Sequence, residues 1–177
     1  MFVIETARLY ARPWSLDTDV KPALEMYRDP DVVRYIGQNA IDSPEAATAF
    51  LQFRINRTLE FGGPYGSWAL IRREDDALIG NILLKPLPGD KRTPTEHIEV
   101  GWHLRRDAWG KGYATEAGRA MFQRAFGELA LQRVLAVTEP ENTASIAVMK
   151  RLGMHSLGLS TAFYDGLTLA LFERHAP

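Results

Sequence analysis

The segment Glu99–Ala117 reads EVGWHLRRDAWGKGYATEA and predicts a strand that leads through a glycine turn into a helix. The helix is expected from about Gly112 to Phe126, because apolar residues recur every four positions from Tyr113. A helix start presents unpaired N–H groups and the positive end of the helix dipole, and glycines let the backbone approach a ligand. With Lys111 beside it, the turn predicts a pyrophosphate site. An ordinary strand–helix turn is an equal alternative on this pattern alone.

Two familiar phosphate-binding motifs do not fit this turn. A P-loop requires Ser or Thr directly after its Gly-Lys pair, where this chain has Gly112, and a glycine where this chain has Arg105. The dinucleotide fingerprint requires Gly or Ala three residues after its second glycine, where this chain has Thr115. The preceding strand also lies in mid-chain, after a predicted hairpin, whereas a dinucleotide fold opens with its βαβ unit.

The chain has 177 residues, 46% of them hydrophobic, and predicts a single domain over residues 1–177 that forms a core without disulfide or metal staples. The order of its strands and helices predicts an α+β (mixed α/β) fold. The predicted strands are Phe2–Arg12, Ser67–Arg73, Leu78–Lys85, His97–Leu104 and Val134–Val137, followed by a C-terminal hairpin of His155–Tyr164 and Leu167–Arg174 around an Asp165-Gly166 turn. The other predicted helices are Asp17–Tyr27, a helix from Ser43 to just before Gly62, and a helix from Glu141 to Gly153.

The composition excludes several function classes. The chain has 21 Lys and Arg against 22 Asp and Glu, so it lacks the basic excess of a duplex nucleic-acid binder. It has no cysteine, which excludes zinc–thiolate sites, cysteine nucleophiles and disulfides, and its histidines show no metal-ligand spacing. No apolar run approaches the roughly 20 residues of a membrane-spanning helix, and no signal-peptide pattern opens the chain. We therefore expect a soluble, cytoplasmic protein without a metal, nucleic-acid or membrane partner.

Four segments occur in an order and spacing typical of one enzyme family. They are ETARLYARP at 5–13, LIGNI at 78–82, WGKGYATEA at 109–117, and ENTAS at 141–145 followed by KRLGM at 150–154. In these segments, which span nearly the whole chain, the sequence resembles the GNAT superfamily of acyl-CoA-dependent N-acetyltransferases, and within it the RimJ/RimL type. The resemblance implies the GNAT (acyl-CoA N-acyltransferase) fold, a central, mixed, mostly antiparallel sheet flanked by helices, and acetyl-CoA (coenzyme A) as the cofactor.

The resemblance also implies where this cofactor binds. The family holds the pyrophosphate with a Q/R-x-x-G-x-G/A turn, in which Trp109 takes the first position, Gly112 the fourth and Ala114 the sixth. Trp109 departs from Gln or Arg, although Trp is familiar there in the RimJ/RimL type. The turn backbone would cradle the phosphates, and the end of the preceding strand and the next helix would contact the pantetheine arm. The implied cofactor-binding residues are His103, Leu104, Arg105, Trp109, Gly110, Lys111, Gly112, Tyr113, Ala114, Thr115 and Asn142.

Acetyl transfer to an amine needs a base, because the amine arrives mostly as an ammonium ion. Glu99 lies on the strand before the turn and matches a position where many relatives carry a catalytic Glu, and Glu116 is its rival. Their alternatives are a solvated strand carboxylate for Glu99 and a favourable charge in a helix's first turn for Glu116. The oxyanion also needs a donor, which we expect to be a main-chain N–H near Leu104.

The departing thiolate benefits from a proton donor. Many relatives carry a Tyr in the second helix at the place of Met149, which cannot donate. In the RimJ/RimL type this role falls to the residue that is Ser145 here, and the alternative is that Ser145 caps the helix start. Tyr164 and Tyr113 are further candidates, and a reaction driven by positioning alone also stays open.

The resemblance implies direct attack of a primary amine on acetyl-CoA in a ternary complex, and without cysteine no cysteine acyl-enzyme can form. The RimJ/RimL type points to the α-amine of a protein N-terminus, with ribosomal proteins as the family example. The alternatives are a small-molecule amine (amino acid, polyamine or antibiotic) and a non-catalytic acyl-CoA-binding protein. Residues 31–48 and 86–95 are expected to wall the acceptor site, and neither carries an acidic cluster for a polyamine. An unpaired edge in the C-terminal hairpin makes a homodimer a candidate assembly.

Overall fold

A computed structural model describes residues 3–177 as one eight-stranded sheet with helices on both faces. The strands are β1 Ile4–Glu5, β2 Leu9–Arg12, β3 Gly66–Arg72, β4 Ala77–Pro88, β5 Pro94–Leu104, β6 Arg133–Thr138, β7 His155–Ser160 and β8 Leu169–His175. The helices are α1 Leu16–Tyr27, α2 Pro30–Val33, α3 Pro44–Phe61, α4 Tyr113–Phe122 and α5 Thr143–Arg151. Among the described residues, no helix is long and apolar enough to cross a membrane.

The strand order is β1-β2-β3-β4-β5-β6-β8-β7, and every neighbouring pair is antiparallel except β5 with β6. This parallel pair shares one register position in the described chain, Glu99 with Leu135. Beyond it, β5 continues to Leu104 and β6 to Thr138 without further pairing. The sheet is therefore mixed and mostly antiparallel, as expected, and it opens into a wedge between its two parallel strands.

Each face of the sheet is buried by its own helices. Helices α4 and α5 pack on one face, where Met121 and Met149 join strand residues such as Val100 in a single core. Helices α1 and α3 pack on the other face, where Met26 and Leu51 join a second core. Because both faces are covered, the wedge between β5 and β6 lies inside the domain, flanked by helices on both sides.

The prediction of one strand over Phe2–Arg12 was wrong. Phe2 lies outside the described residues, and the remainder forms the hairpin of β1 and β2, with Ile4 paired to Ala11. A turn at Thr6 separates the two strands, because its hydroxyl accepts a hydrogen bond from the Leu9 N–H (2.9 Å) while its own N–H donates to the Leu9 carbonyl (2.9 Å). Serine and threonine hydroxyls close turns in this way when they bond to nearby backbone.

The C-terminal hairpin is also longer in its turn than expected. Strand β7 ends at Ser160 and β8 begins at Leu169, so a loop replaces the predicted Asp165-Gly166 turn. In this loop Tyr164 has φ of 52° and Asp165 has φ of 60°, a left-handed conformation that a strand cannot contain. The Tyr164 N–H donates to the Pro88 carbonyl (2.9 Å), which ties the loop to the end of β4. This contact brings the Tyr164 side chain over the wedge.

Two helical features were not predicted. The short helix α2 follows α1 directly, capped by the Asp29 side chain, which accepts from the Asp31 N–H. The helix predicted over Gly112–Phe126 continues to Glu128, but its last six residues are π-helical.

Candidate active site

A cleft of about 800 Å³ opens where β5 and β6 part, and Glu99 lies at its base. We call it the main cleft. Glu99 is only 4% exposed, accepts a hydrogen bond from the Tyr164 hydroxyl (2.5 Å) and forms an ion pair with Lys85, its register partner on β4. The Lys85 ammonium also donates to the Tyr164 hydroxyl (3.3 Å). Glu99 is therefore a buried, oriented carboxylate, and the alternative of a solvated strand residue does not describe it.

Tyr164 keeps its proton in this setting. Burial, the negative charge of Glu99 and the hydrogen bond to Glu99 together raise the pKa of the phenol far above its usual value. A phenol that stays protonated can donate to the carboxylate throughout the neutral range. The sequence analysis identified Tyr164 only as one of several proton donors and missed Lys85. The alignment of Lys85 with Glu99 depends on the register of the β4–β5 hairpin, which the loop between the strands did not reveal.

The start of α5 forms a second wall of the main cleft. Asn142 is the N-cap of this helix, since its side-chain oxygen accepts from the Ser145 N–H (3.2 Å), and its amide donates to the Thr138 hydroxyl at the end of β6 (2.9 Å). Asn142 is therefore the residue that caps α5. Ser145 does not cap the helix, and it lines the cleft together with Met149. Ser145 and Met149 thus line the same main cleft as Glu99.

The glycine turn before α4 has the backbone that the sequence indicates. Gly110 has φ of 72° and Gly112 has φ of 80°, values that side-chain-bearing residues rarely adopt. A Cβ at Gly112 would lie 3.6 Å from the Arg8 guanidinium, which is an ordinary contact. The requirement for glycine there is therefore conformational. Gly112 caps α4 without a side chain, so the first N–H groups of the helix remain available to a ligand.

A second cleft of about 540 Å³, here called the turn cleft, lies against this turn. Three arginines line it, Arg8 from the β1–β2 hairpin, Arg119 from α4 and Arg151 from α5. Arginine suits a phosphate because its planar fork donates two parallel hydrogen bonds. The sequence analysis missed all three. Arg8 could have been identified from the sequence, because it lies in the ETARLYARP segment that carries part of the family resemblance.

Glu116 holds Arg8 in the turn cleft. Its carboxylate accepts from the Thr6 hydroxyl (2.6 Å), the Arg8 N–H (3.1 Å) and the Arg8 guanidinium (2.6 Å), and Arg8 also donates to the Lys111 carbonyl (3.1 Å). Burial alone would raise the pKa of Glu116, but the hydrogen bonds from Thr6 and Arg8 outweigh it and lower the pKa. The geometry supports a structural role for Glu116, because its carboxylate already carries three donors and lines the turn cleft, whereas Glu99 lines the main cleft.

Two further arginines that could have met a cofactor phosphate are occupied. Arg105 forms a two-point contact with Asp107 (2.7 and 2.6 Å), and Arg106 pairs with Asp29 (2.9 Å) and Asp31. Both guanidinium groups of the Arg105-Arg106 dipeptide are therefore paired with carboxylates within the chain.

Comparison with known proteins establishes the family. Residues 8–155 match the model of the acetyltransferase (GNAT) domain. The chain belongs to the GNAT family. It is 33% identical over 156 residues to the N-acetyltransferase YnaD of Bacillus subtilis (strain 168), a match that covers 88% of this chain and 84% of YnaD, which is itself uncharacterized.

Solved structures agree with the fold of this GNAT enzyme. An acetyltransferase (GNAT family) from Bacillus anthracis superimposes with a TM-score of 0.78 at 25% identity and covers 99% of this chain and 98% of its own. RimL, described as a ribosomal alpha-N-protein acetyltransferase and solved in complex with coenzyme A, superimposes with a TM-score of 0.77 at 13% identity, with coverage of 99% and 98%. The chain is an acetyl-CoA-dependent N-acetyltransferase with the GNAT fold, as the sequence predicts.

The GNAT turn and the wedge behind it fit acetyl-CoA. The left-handed glycines, the open helix start and the three arginines suit the phosphates of this cofactor. The Arg105 N–H donates to the Ile79 carbonyl on β4 (2.8 Å). Since bonding alternates along an antiparallel pair, the main-chain groups of His103 also pair with β4, and those of Leu104 point into the wedge. Of the three residues expected to contact the pantetheine arm through their main chain, Leu104 is the one whose main-chain groups point away from β4.

Trp109 completes the link between strand and turn. Its indole N–H donates to the Leu104 carbonyl (2.8 Å), and its ring is 45% exposed beside the turn. This bond occupies the carbonyl and leaves the Leu104 N–H as the main-chain donor that faces the wedge. It also gives a physical reason for Trp at a position where the family motif has Gln or Arg.

The walls of the main cleft come partly from the expected segments. Residues 35–38 and several residues of the 86–95 loop line it, and both belong to segments that the sequence analysis expected to wall the acceptor site. Helix α3 contributes an unpredicted wall through Phe50, Phe53, Arg54, Arg57 and Phe61. A sequence pattern shows that this helix is amphipathic, but it does not show that one edge of its polar face turns toward a cavity.

Proposed function

We propose that Glu99 accepts the proton of the acceptor amine in this acetyltransferase and that attack on acetyl-CoA is direct, in a ternary complex. The observation that carries this proposal is the buried Glu99 carboxylate at the divergence of β5 and β6, oriented by Tyr164 and Lys85 in the main cleft. Acetyl-CoA supplies the activated thioester. Glu99 takes a proton from the ammonium form of the acceptor, directly or through one water, and so frees the nitrogen lone pair.

The other groups of the chain act on charge that develops during transfer. The Leu104 N–H points into the wedge and is the proposed donor to the carbonyl oxygen. Ser145 is the proposed proton donor to the departing sulfur, because its side chain lines the same cleft as Glu99. Tyr164 is the rival donor. Its hydroxyl bonds to Glu99 in this structure, and it keeps its proton because burial and Glu99 raise its pKa.

For the acceptor, we propose the α-amine of a protein N-terminus, as expected for a RimJ/RimL-type enzyme. Support comes from the shared fold with RimL, which is described as acting on a ribosomal protein. A small-molecule amine is the second candidate, and the observation that favours it is the enclosing lining of the main cleft, to which α3, β4, β5, α5 and the Tyr164 loop all contribute. Both acceptors place a primary amine at Glu99, so the chemistry is the same.

The test is steady-state kinetics with acetyl-CoA and a panel of N-terminal peptides and small amines. Released coenzyme A can be titrated with a thiol reagent without background, because the chain has no cysteine. We expect Glu99→Gln to lower kcat by about 100-fold or more, the typical contribution of a general base. Glu139→Gln is the matched control, because Glu139 is another carboxylate that lines the main cleft.

Two results would contradict the proposal. Full activity of Glu99→Gln with loss of activity in Glu139→Gln would move the base to Glu139. Parallel lines in double-reciprocal plots of the initial rate against acetyl-CoA, at several acceptor concentrations, would indicate a covalent acyl-enzyme in place of direct attack.

A further inference from the structure

The main cleft is lined by more cationic than acidic side chains. Five cationic side chains line it against two carboxylates, and the cations are Arg54, Arg57, Lys85, Lys91 and Arg92. Three of them are neutralised within the chain, since Lys85 pairs with Glu99, Arg57 with Glu60 and Arg92 with Asp165. An acceptor that enters this cleft meets a surplus of positive charge, which opposes a polycation and attracts an anion.

Arg54 differs from these paired cations. Among residues 3–177 no carboxylate forms an ion pair with it, and its guanidinium instead donates to the neutral Ser67 hydroxyl (2.9 Å). The group packs against two aromatic rings of the wall, because its Cζ lies 4.5 Å from the centroid of the Phe50 ring and 5.6 Å from that of Tyr27. Its Nε is buried and has no hydrogen-bond partner among the described residues. This is a charged donor that is oriented before any ligand binds.

The side chains beside Arg54 are also left with unused polar atoms. The Ser67 hydroxyl donates to the Asn81 side-chain oxygen Oδ1 (2.5 Å), while the Asn81 side-chain nitrogen Nδ2 is buried and has no partner in the described chain. His103 lies opposite Asn81 on β5, its Nδ1 is buried and equally unpartnered, and its ring packs on Tyr27 at 6.3 Å between centroids. Buried polar atoms are nearly always paired in native proteins, so this cluster of unpaired ones is available to a polar ligand that enters the cleft.

The state of His103 is consistent with a site for an anion built on Arg54. Burial, followed by the positive charges of Arg54 and Lys85, lowers the pKa of the imidazole to about 3. The ring is therefore neutral at physiological pH, with one nitrogen that donates and one that accepts a hydrogen bond. The fixed charge of the site belongs to Arg54.

We infer that the acceptor of this enzyme carries a carboxylate as well as the reacting amine, and that Arg54 binds this carboxylate through its planar guanidinium. Arginine is the side chain best matched to a carboxylate, because two parallel N–H groups meet its two oxygens. Ser67 and Glu99 lie on the same face, two strands and two residues apart, which places their Cα atoms roughly 12 Å apart. The acceptor therefore has several bonds between its amine and its carboxylate.

This inference rests on the proposed function, since Glu99 must mark the place of the amine. The carboxylate can come from a small amino acid or from an acidic side chain near the N-terminus of a peptide. Matched pairs of acceptors distinguish these sources: β-alanine with β-alaninamide, glycylglycine with its amide, and C-terminally amidated pentapeptides with Asp or Asn as the second residue. In each pair the amine stays and only the negative charge is removed.

We expect the wild-type enzyme to prefer the carboxylate in at least one pair by about 10- to 100-fold in kcat/KM, the range for a hydrogen-bonded charged group. Arg54→Gln should abolish that preference, so that the charged and the neutral member of each pair react with similar kcat/KM. Arg57→Gln is the matched control one helical turn away, and it should keep the preference because Arg57 is already paired with Glu60. Arg54→Lys should retain part of it, because charge remains without the fork.

Failure of the inference and failure of the proposed function give different results. Turnover of both members of every pair at equal rates would overturn the carboxylate site and leave the proposed function standing. If no amine is acetylated, the proposed function fails. Calorimetric titration with N-acetyl-β-alanine then tests whether Arg54 binds a carboxylate. Binding that is lost in Arg54→Gln would support it, and equal or no binding to both proteins would overturn it. The wild-type comparison of matched pairs needs no variant, so misfolding of Arg54→Gln leaves the test intact.

Discussion

Substitution of Glu116 by Gln tests whether this carboxylate is a structural tie or a catalytic base. The side chain joins the β1–β2 hairpin to α4 through Thr6 and Arg8, and it holds Arg8 over the Tyr113 ring, 4.6 Å from its centroid. Glutamine keeps one oxygen for these donors but loses the negative charge. The perturbation therefore removes the ion pair with Arg8 while the size of the side chain stays the same.

The magnitude follows from the exposure of the two partners. A hydrogen-bonded charged group contributes about 1.5–3 kcal/mol when buried. The Arg8 side chain is 48% exposed and Glu116 19%, so we place the loss at the lower end, about 1–2 kcal/mol. For a domain of this length, that corresponds to a fall in Tm of about 2–8 °C. Because Arg8 lines the turn cleft, its release should also weaken acetyl-CoA binding by about 3- to 10-fold.

The stability difference should depend on pH in a defined direction. The pKa of Glu116 is lower in the folded protein than in the unfolded chain, because Thr6 and Arg8 donate to its carboxylate. Its contribution is therefore complete above the unfolded value of about 4.3 and is lost as the pH falls through the lower folded value. Wild type and Glu116→Gln should differ at pH 7 and converge in acid.

The assays are urea unfolding at pH 7 and in acid, calorimetry with acetyl-CoA, and kcat at saturating acetyl-CoA. Glu128→Gln is the matched control, because Glu128 pairs with Arg124 on the exposed continuation of the same helix. We expect kcat of Glu116→Gln to stay within about threefold of wild type, since a structural tie does not take part in proton transfer. Unchanged stability together with a 100-fold fall in kcat would refute this reasoning and make Glu116 the base.

Two further substitutions probe the elements that hold the cofactor. Gly112→Ala should destabilise the protein by about 1–2 kcal/mol and weaken acetyl-CoA binding, because φ of 80° is strained for alanine. Gly127→Ala, at a glycine with open space and no positive φ, should do neither in the same unfolding and calorimetric assays. Asn142→Ala should cost about 1 kcal/mol by removing the cap of α5, whereas Asn142→Asp should restore most of it in urea unfolding, because aspartate still accepts from the Ser145 N–H. Equal destabilisation by both Asn142 variants would contradict the capping role.

The sequence predicted those features that depend on neighbouring residues in the chain. The glycine turn, the start of α3 at Ser43-Pro44 and the strand ending at Leu104 all carry local signals, and the structure contains them. The first strand was mispredicted for a local reason too. Its alternation of apolar residues is real, but the Thr6 hydroxyl competes for the backbone and closes a turn, which periodicity does not reveal.

The features that sequence analysis missed depend on register and on distant segments. Lys85 meets Glu99 only because a 3₁₀ turn at Asp90–Arg92 aligns β4 with β5 at that pair. Tyr164 reaches the same carboxylate from a loop 65 residues away, with a left-handed backbone at a non-glycine residue. No pattern in the single sequence encodes either contact. Both contacts form because three separate elements of the fold meet at the buried Glu99 carboxylate.

The two halves of the site are therefore encoded differently. The proposed cofactor half lies largely within one strand–turn–helix unit, where the glycine turn and the family resemblance both point to a phosphate site. The proposed acceptor half is assembled from α3, β3, β4, β5 and the 161–168 loop. The net charge of this half depends on which of its cationic side chains form ion pairs within the protein. Arg54 is the proposed ligand-binding group, because Lys85, Arg57 and Arg92 are already paired. A search for the acceptor should therefore begin with the unpaired charge of this half, because the cofactor turn carries no information about it.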